Sequence, residues 1–174
     1  MRTKVIVNTI NGKGTVRKAL QEQYSALEEG KADILGLFLV TQLAEMGELG
    51  EVDLMDNYVT FMAGIFRSVR FGAASSHGKA NMIRFYYFQE KEAFSKDPET
   101  GKYRVDFDKM TQAMKDLGRE ILIIQGNGDY EAAKKLVEEK GFIRADLQND
   151  LNKLNEQNIP VDIRFKQGPE MLGL

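Results

Sequence analysis

KANMIRFYYFQEKEAF, residues 79–94, contains an apolar and aromatic run through its middle. As a helix, this run has apolar side chains on nearly every face, and a helix that is apolar all round is normally buried. Ser75 or Ser76 stands where it can cap the first turn, because serine is a preferred N-cap residue. The segment therefore predicts a helix at the centre of the core.

Amphipathic helices are predicted on both sides of this central segment. Upstream, the pattern is helical from about Arg17 to Met46, and Gly47 and Gly50 then end it. Elsewhere apolar residues recur at the spacing of one helix face. These residues are Met55, Val59, Met62, Phe66 and Val69; Met110, Met114, Leu117, Ile121 and Ile124; and Leu147, Leu151 and Leu154. Asp129 is placed to cap one more helix, which Gly141 ends.

Short β elements complete the predicted architecture. KVIVNTI, the turn NGKG and TVRKAL predict an N-terminal hairpin over residues 4–20. Tyr103, Val105 and Phe107 alternate as a short strand does. The sequence therefore predicts a mainly α fold: a single helical domain or lobe over residues 1–174, with minor β-hairpin and strand elements.

The composition gives no sign of a nucleic-acid or membrane partner. The 174 residues contain 24 Lys and Arg against 26 Asp and Glu, which gives no electrostatic reason to expect nucleic-acid or acidic-membrane binding. The longest apolar stretch, ILGLFLV, is far shorter than the roughly 20 residues of a membrane span. The chain has no cysteine, and its N-terminus is too polar for a signal peptide. We expect a cytoplasmic protein.

The segment ALEEGKADILGLFLV, residues 26–40, carries carboxylates into an apolar helix. Glu29 and Asp33 lie one turn apart and share a face, whereas Glu28 points elsewhere. That face continues into apolar residues, so we expect Asp33 to be partly buried and to need compensation. Compensation can come from backbone donors, from a metal, or from an ion pair with Arg67, Arg70 or Lys79; a solvated helix start is the remaining alternative.

His77 is the single histidine of the chain. It lies beside a glycine at a predicted helix start, where polar side chains often face a cleft. A lone histidine is more often structural or on the surface than catalytic, and that alternative stays open. Because most zinc enzymes use two or three histidine ligands, this sequence alone does not supply a complete zinc site.

Two segments resemble the zinc dipeptidyl peptidase III family. SALEEGKADILGLFLV, residues 25–40, resembles the downstream metal-ligand helix of that family, whose pattern is Glu-Glu-x-x-Ala-Asp/Glu. FRSVRFGAASSHGKANMIRFYYFQEKEAF, residues 66–94, is similar to a later segment of the same catalytic lobe. The resemblance covers nearly the whole chain and is closest to the subset fused behind Nudix domains.

The resemblance implies roles for four residues. Glu29 corresponds to the third zinc ligand. Glu28 and Asp33 correspond to carboxylates that orient the histidine ligands by accepting their other N–H. His77 corresponds to the catalytic histidine that donates to the developing oxyanion. The resemblance assigns no role to the nearby Arg67, Arg70 and Lys79.

The sequence departs from that family in one respect: it has no His-Glu-x-x-(x)-His motif, which supplies two zinc ligands and the general base. We therefore expect residues 1–174 to be a C-terminal fragment of the catalytic lobe, inactive alone and binding zinc weakly or not at all. Its expected partners are the missing upstream portion and, in the intact enzyme, a peptide substrate. An exposed apolar face should then favour self-association.

Two alternatives remain open at this stage. One is a free-standing helical module that binds a partner or is purely structural. The other is the C-terminal region of a Nudix-fused hydrolase, although this chain contains no Nudix box.

Overall fold

The computed structural model of the chain describes residues 6–162 and 168–173. The first half contains β1 (Ile6–Thr9), β2 (Gly12–Thr15), α1 (Val16–Leu20), α2 (Tyr24–Glu45), α3 (Leu54–Val69) and α4 (Ser76–Glu90). The second half contains β3 (Phe94–Lys96), β4 (Tyr103–Val105), α5 (Phe107–Asn127), α6 (Tyr130–Lys140) and α7 (Ala145–Glu156). Single 3-10 turns lie at Gln21–Gln23 and Pro169–Leu172. The prediction of a mainly α fold with minor β elements is confirmed.

Helix α4 is the centre of the core, as its sequence predicts. Every residue from Ala80 to Phe88 is buried, and α2, α3, α5 and α6 all pack against it. The ring centroid of Phe85 lies 4.9 Å from that of Phe94 and 5.6 Å from that of Phe66. Helix α4 therefore also contacts α3 and the second hairpin, which β3 and β4 form. Ser75 caps the helix, since its Oγ accepts a hydrogen bond from the Gly78 N–H at 3.0 Å.

The N-terminal hairpin is shorter than predicted. Thr9 pairs with Gly12, so the turn is Ile10–Asn11, one step before the predicted NGKG turn. The residues from Val16 onward form helix α1, because the Thr15 hydroxyl accepts from the Lys18 N–H and starts a helical turn. The predicted strand residues 4 and 5 lie outside the described residues.

The hairpin is fixed to the C-terminal end of α5. The Ile10 N–H donates to the Asn127 carbonyl at 2.8 Å. Gly128 ends α5 with φ of 61°, and a Cβ there would lie 2.6–2.7 Å from side-chain atoms of Thr9 and Ala19. This position requires both a left-handed backbone and the absence of a side chain. Only glycine meets both requirements, so Gly128 allows the hairpin and α1 to pack closely against the end of α5.

The described chain divides into two compact units, one ending at Ile143 and the other beginning at Arg144. The first unit contains both hairpins and helices α1 to α6. The second contains α7, on which Leu147, Leu151 and Leu154 recur at helical spacing as predicted. The single-domain description of residues 1–174 stays a prediction. Within the ranges 6–162 and 168–173, no helix combines the length and apolar character that crossing a bilayer requires.

Replacing Gly128 with alanine should destabilise the first unit. The new Cβ would overlap Thr9 and Ala19, and the left-handed backbone disfavours it, for an expected loss of about 1–3 kcal/mol in the free energy of unfolding. Urea denaturation measures this loss. Gly126→Ala is the matched control, because a Cβ at Gly126 meets no atom within 4 Å and lies inside a helix. Equal effects of the two substitutions would contradict the proposed packing.

Candidate functional site

The structure brings the acidic end of α2 against the start of α4. Glu29, in the second turn of α2, has its Oε2 atom 3.3 Å from Nδ1 of His77, in the first turn of α4. Both side chains reach solvent: 38% of the Glu29 side chain and 69% of the His77 side chain are exposed. Two of the residues predicted for the site are therefore adjacent and accessible.

A close backbone contact fixes the position of His77. The residue after His77 is Gly78, and the loop over residues 72–75 packs directly on it. A Cβ at position 78 would lie 2.5 Å from the Ala73 Cα atom. The Ser75 cap holds the same turn from the other side. Because the contact is with backbone atoms, a side chain at position 78 would force the loop or the helix start to move.

Asp33 is compensated by a buried arginine. Its Oδ2 atom accepts from Nη2 of Arg84, on α4, at 2.8 Å. The Asp33 side chain is only partly buried, since 46% of it is exposed, whereas only 3% of the Arg84 side chain is. The group that needs compensation is therefore the arginine, and the helix face of Asp33 stays open to solvent.

Two side chains surround the guanidinium of Arg84. Nη2 donates to Asn81 Oδ1, and Asn81 Nδ2 in turn donates to Ser68 Oγ of α3 at 2.8 Å. The Phe61 ring centroid lies 5.5 Å from the guanidinium carbon, within cation–π range. Burial lowers the pKa of Arg84, and the charges of Asp33 and Glu29 oppose that decrease. Among the described residues, Nε and Nη1 of Arg84 have no hydrogen-bond partner.

Glu28 points toward α5, away from the face of Glu29. Its Oε1 atom lies 2.7 Å from Nζ of Lys31, and its Oε2 atom accepts from Nε2 of Gln125 at 3.1 Å. Partial burial by itself raises the pKa of Glu28, but the bonds from Lys31 and Gln125 outweigh it, so the pKa lies below its ordinary value. Glu28 is thereby held as a carboxylate.

Asp33, His77 and Arg84 border an open cavity of about 320 Å³ between α2, α3 and α4. Its polar lining comes from Asp33, Ser68, His77, Asn81 and Arg84, together with Thr60. The apolar wall is formed by Phe61, Gly64 and Ile65. The cavity therefore offers both charge and an apolar surface beside the His77–Glu29 pair.

The donor set decides which metal chemistry this chain can support. No cluster of three or more His, Cys, Asp or Glu side chains suited to a metal ion occurs in the part of the chain that the structure describes. Glu29 offers one accessible carboxylate, a suitable zinc ligand, but zinc sites use three or four protein ligands. The residues fit a zinc site only as one contributor, with the other ligands coming from elsewhere.

Sequence analysis missed Arg84, Asn81, Ser68 and Gln125. One signal for Arg84 was present, since it is the single charged residue in the apolar run of α4. A charge inside such a run needs a partner, and a carboxylate on a neighbouring helix is the ordinary one. The other three residues carried no signal, because neutral polar side chains occur throughout the chain.

The chain is similar to solved dipeptidyl peptidase III structures over nearly its whole length. DPP III from Caldithrix abyssi superposes with a TM-score of 0.88 at 36% sequence identity, covering 97% of this chain and 32% of that one. Dipeptidyl-peptidase III from Corallococcus sp. strain EGB superposes with a TM-score of 0.82 at 36% identity, covering 92% of this chain and 29% of that one. No protein-family model matches the chain.

A curated relative carries a different name. The chain is 44% identical over 149 residues to Nudix hydrolase 3 of Arabidopsis thaliana, a match that covers 86% of this chain. The chain spans 19% of that relative and about a third of the solved DPP III chains. It is thus a DPP III-like region with a Nudix-named relative, in agreement with the resemblance seen in the sequence. Its placement within a catalytic lobe stays a prediction.

Glu28 should make the free energy of unfolding depend on pH. Because its pKa is lower in the folded state, its ionised form stabilises the fold above its unfolded-state pKa, and this stabilisation is lost as pH falls through the folded-state pKa. Glu28→Gln should therefore destabilise the chain at neutral pH, and the difference from wild type should shrink under acidic conditions. Chemical denaturation at several pH values measures it.

Lys31→Met is the control background for this prediction. Without the Lys31 ammonium, the loss caused by Glu28→Gln should be smaller and should vary less with pH. A difference that grows on acidification would contradict the assigned direction.

Proposed function

We propose that this chain is the downstream part of the catalytic lobe of a zinc-dependent, dipeptidyl peptidase III-like metallopeptidase. Bound zinc would polarise the scissile carbonyl and activate a water molecule. In this chain, Glu29 would hold the metal, and Asp33 would orient a histidine ligand that comes from elsewhere in the protein. Glu28 is the second carboxylate proposed to orient such a ligand, from a side of α2 that faces α5. His77 donates a hydrogen bond to the carbonyl oxygen that gains charge in the transition state.

The observation that carries this proposal is the open face of α2. Glu29 and Asp33 share that face with Ala32 and Gly36, which are exposed and small, and a Cβ at Gly36 would meet no atom within 4 Å. Farther along it, Leu39 is 57% and Leu43 39% exposed. A face that combines two carboxylates with small and apolar residues suits a second helix that packs closely and brings the remaining ligands.

The position of His77 supports its role. His77 Nδ1 lies 3.3 Å from a Glu29 oxygen, so the imidazole can reach a carbonyl oxygen that is bound on the same side of Glu29. The adjoining cavity of about 320 Å³ gives room for part of a peptide. Uncharged acceptors such as peptide carbonyls suit the site, because the Arg84 guanidinium is already paired with the Asp33 carboxylate.

The chain alone should lack peptidase activity and hold zinc weakly, since one carboxylate does not make a zinc site. The exposed leucines of α2 should favour self-association of the isolated chain. The Nudix name of the Arabidopsis relative supports an alternative in which the region belongs to a Nudix-fused hydrolase. A free-standing binding module is a second alternative. The Glu29 experiment below distinguishes it from the metallopeptidase proposal.

Glu29→Ala should abolish zinc retention by the native protein that contains this region, together with its release of dipeptides from peptide N-termini. The reason is the loss of one of three protein ligands. Dialysis followed by metal analysis measures the zinc content. Glu45→Ala is the control, because Glu45 is an exposed glutamate near the far end of the same helix. A variant at Glu29 that keeps its zinc would favour the binding-module alternative.

His77→Ala should lower kcat by about 10²–10³-fold, the usual effect of removing one donor to an oxyanion, with unchanged zinc content. His77→Gln keeps an N–H donor at a similar distance and should recover part of the rate. Steady-state kinetics on a peptide substrate, with metal analysis of each variant, tests both. Loss of zinc in parallel with activity would assign His77 to metal binding instead.

A further inference from the structure

We infer that Arg84 is the positioning residue of this site: its buried guanidinium fixes the orientation of the Asp33 carboxylate. The inference rests on the proposed function, in which Asp33 orients a histidine ligand of the zinc. The direct contact is the hydrogen-bonded ion pair of 2.8 Å between Arg84 Nη2 and Asp33 Oδ2. It connects the central helix α4 to the carboxylate face of α2.

The stability of the fold does not by itself account for an arginine at this position. Only 2% of Arg84 is exposed, and two of its nitrogen atoms have no hydrogen-bond partner among the described residues. Buried ion pairs are often no more stabilising than apolar side chains of similar volume. Every other residue from Met82 to Phe88 is apolar or aromatic, so an apolar side chain would match the environment.

The surroundings of Arg84 hold its guanidinium in one orientation. Asn81, one turn earlier on α4, accepts from Nη2 and donates to Ser68 on α3. The Phe61 ring lies over the guanidinium carbon at 5.5 Å. Arg84 is thus held by contacts with α3 and α4, and it in turn holds the Asp33 side chain in place. Without that contact the Asp33 side chain, which is 46% exposed, would rotate freely.

Orientation and charge predict opposite effects on zinc binding. A cation beside Asp33 and Glu29 repels a divalent metal, so its charge alone would weaken zinc binding. An oriented carboxylate acting on a histidine ligand strengthens zinc binding, typically by 10–100-fold when such partners are compared with their removal. A substitution that keeps the charge and changes the geometry separates the two effects. Arg84→Lys is that substitution, because lysine lacks the planar fork that contacts Asp33 and Asn81 together.

The experiment measures the zinc dissociation constant of the native protein by competition with a chelator. Arg84→Lys should weaken zinc binding by about tenfold. Because Arg84 acts through Asp33, the double variant Arg84→Lys/Asp33→Asn should bind zinc no more weakly than Asp33→Asn alone. Lys140→Arg is the matched control: it also exchanges the cation of an ion pair in which the cation is largely buried and its partner, Glu90 of α4, is about half exposed, and it should leave the dissociation constant unchanged.

For a folded Arg84→Lys variant, two results would overturn the inference. One is an Arg84→Lys effect no larger than that of Lys140→Arg; the other is an effect that adds in full to that of Asp33→Asn. If Arg84→Lys does not fold, Ser68→Ala removes the far support of Asn81 and should cause a smaller loss of zinc affinity, and no loss would again overturn it. Glu29→Ala separates the two proposals: zinc retained in that variant refutes the proposed function, whereas zinc lost there and unchanged in Arg84→Lys refutes only the inference.

Discussion

A guanidinium buried in an apolar segment needs an anion as its partner, and in this protein that ion pair connects the core with the candidate site. Arg84 lies in the middle of α4, against which four other helices pack, and Asp33 provides the anion from α2. The register between α2 and α4 is thereby limited, because sliding either helix by one turn would separate the pair. The same register brings Glu29 beside His77.

The fold was largely predictable because its signals are local. The apolar run of α4, the spacing of the amphipathic helices and the caps at Ser75 and Asp129 each depend on residues within a few positions of one another. The short hairpin was less predictable. The Thr15 cap competes with strand pairing for the same residues, and the anchoring of Ile10 and Gly128 at the end of α5 is a tertiary contact.

The sequence identified several residues of the candidate site, but it predicted less well which side chains contact each other. Helical spacing places Glu29 and Asp33 on one face and separates Glu28, as observed. Which face of α2 is buried depends on where α4 packs, and the sequence carries no direct record of that. For this reason the sequence predicted only that Asp33 is partly buried, and it did not predict that its partner Arg84 is the more deeply buried of the two. The contacts of Asn81 and Ser68 follow from the same packing.

Contacts within this chain preorganise the candidate site. Its charged side chains are held by bonds within this chain: Asp33 by Arg84, and Glu28 by Lys31 and Gln125. Glu29 and His77 remain accessible on the same side. A site of this kind is prepared before any partner or ligand arrives, so little conformational entropy is lost when they bind.

The contact between Gly78 and the loop over residues 72–75 has a consequence for how this region diverges among relatives. Any larger residue at position 78 collides with the Ala73 backbone, so its substitution is tolerated only together with a rebuilt or lengthened loop. Because His77 is the adjacent residue, the loop and the histidine are under one constraint. Loop length and the residue after the histidine should therefore change together in evolution, and relatives with a different residue there should carry a different loop.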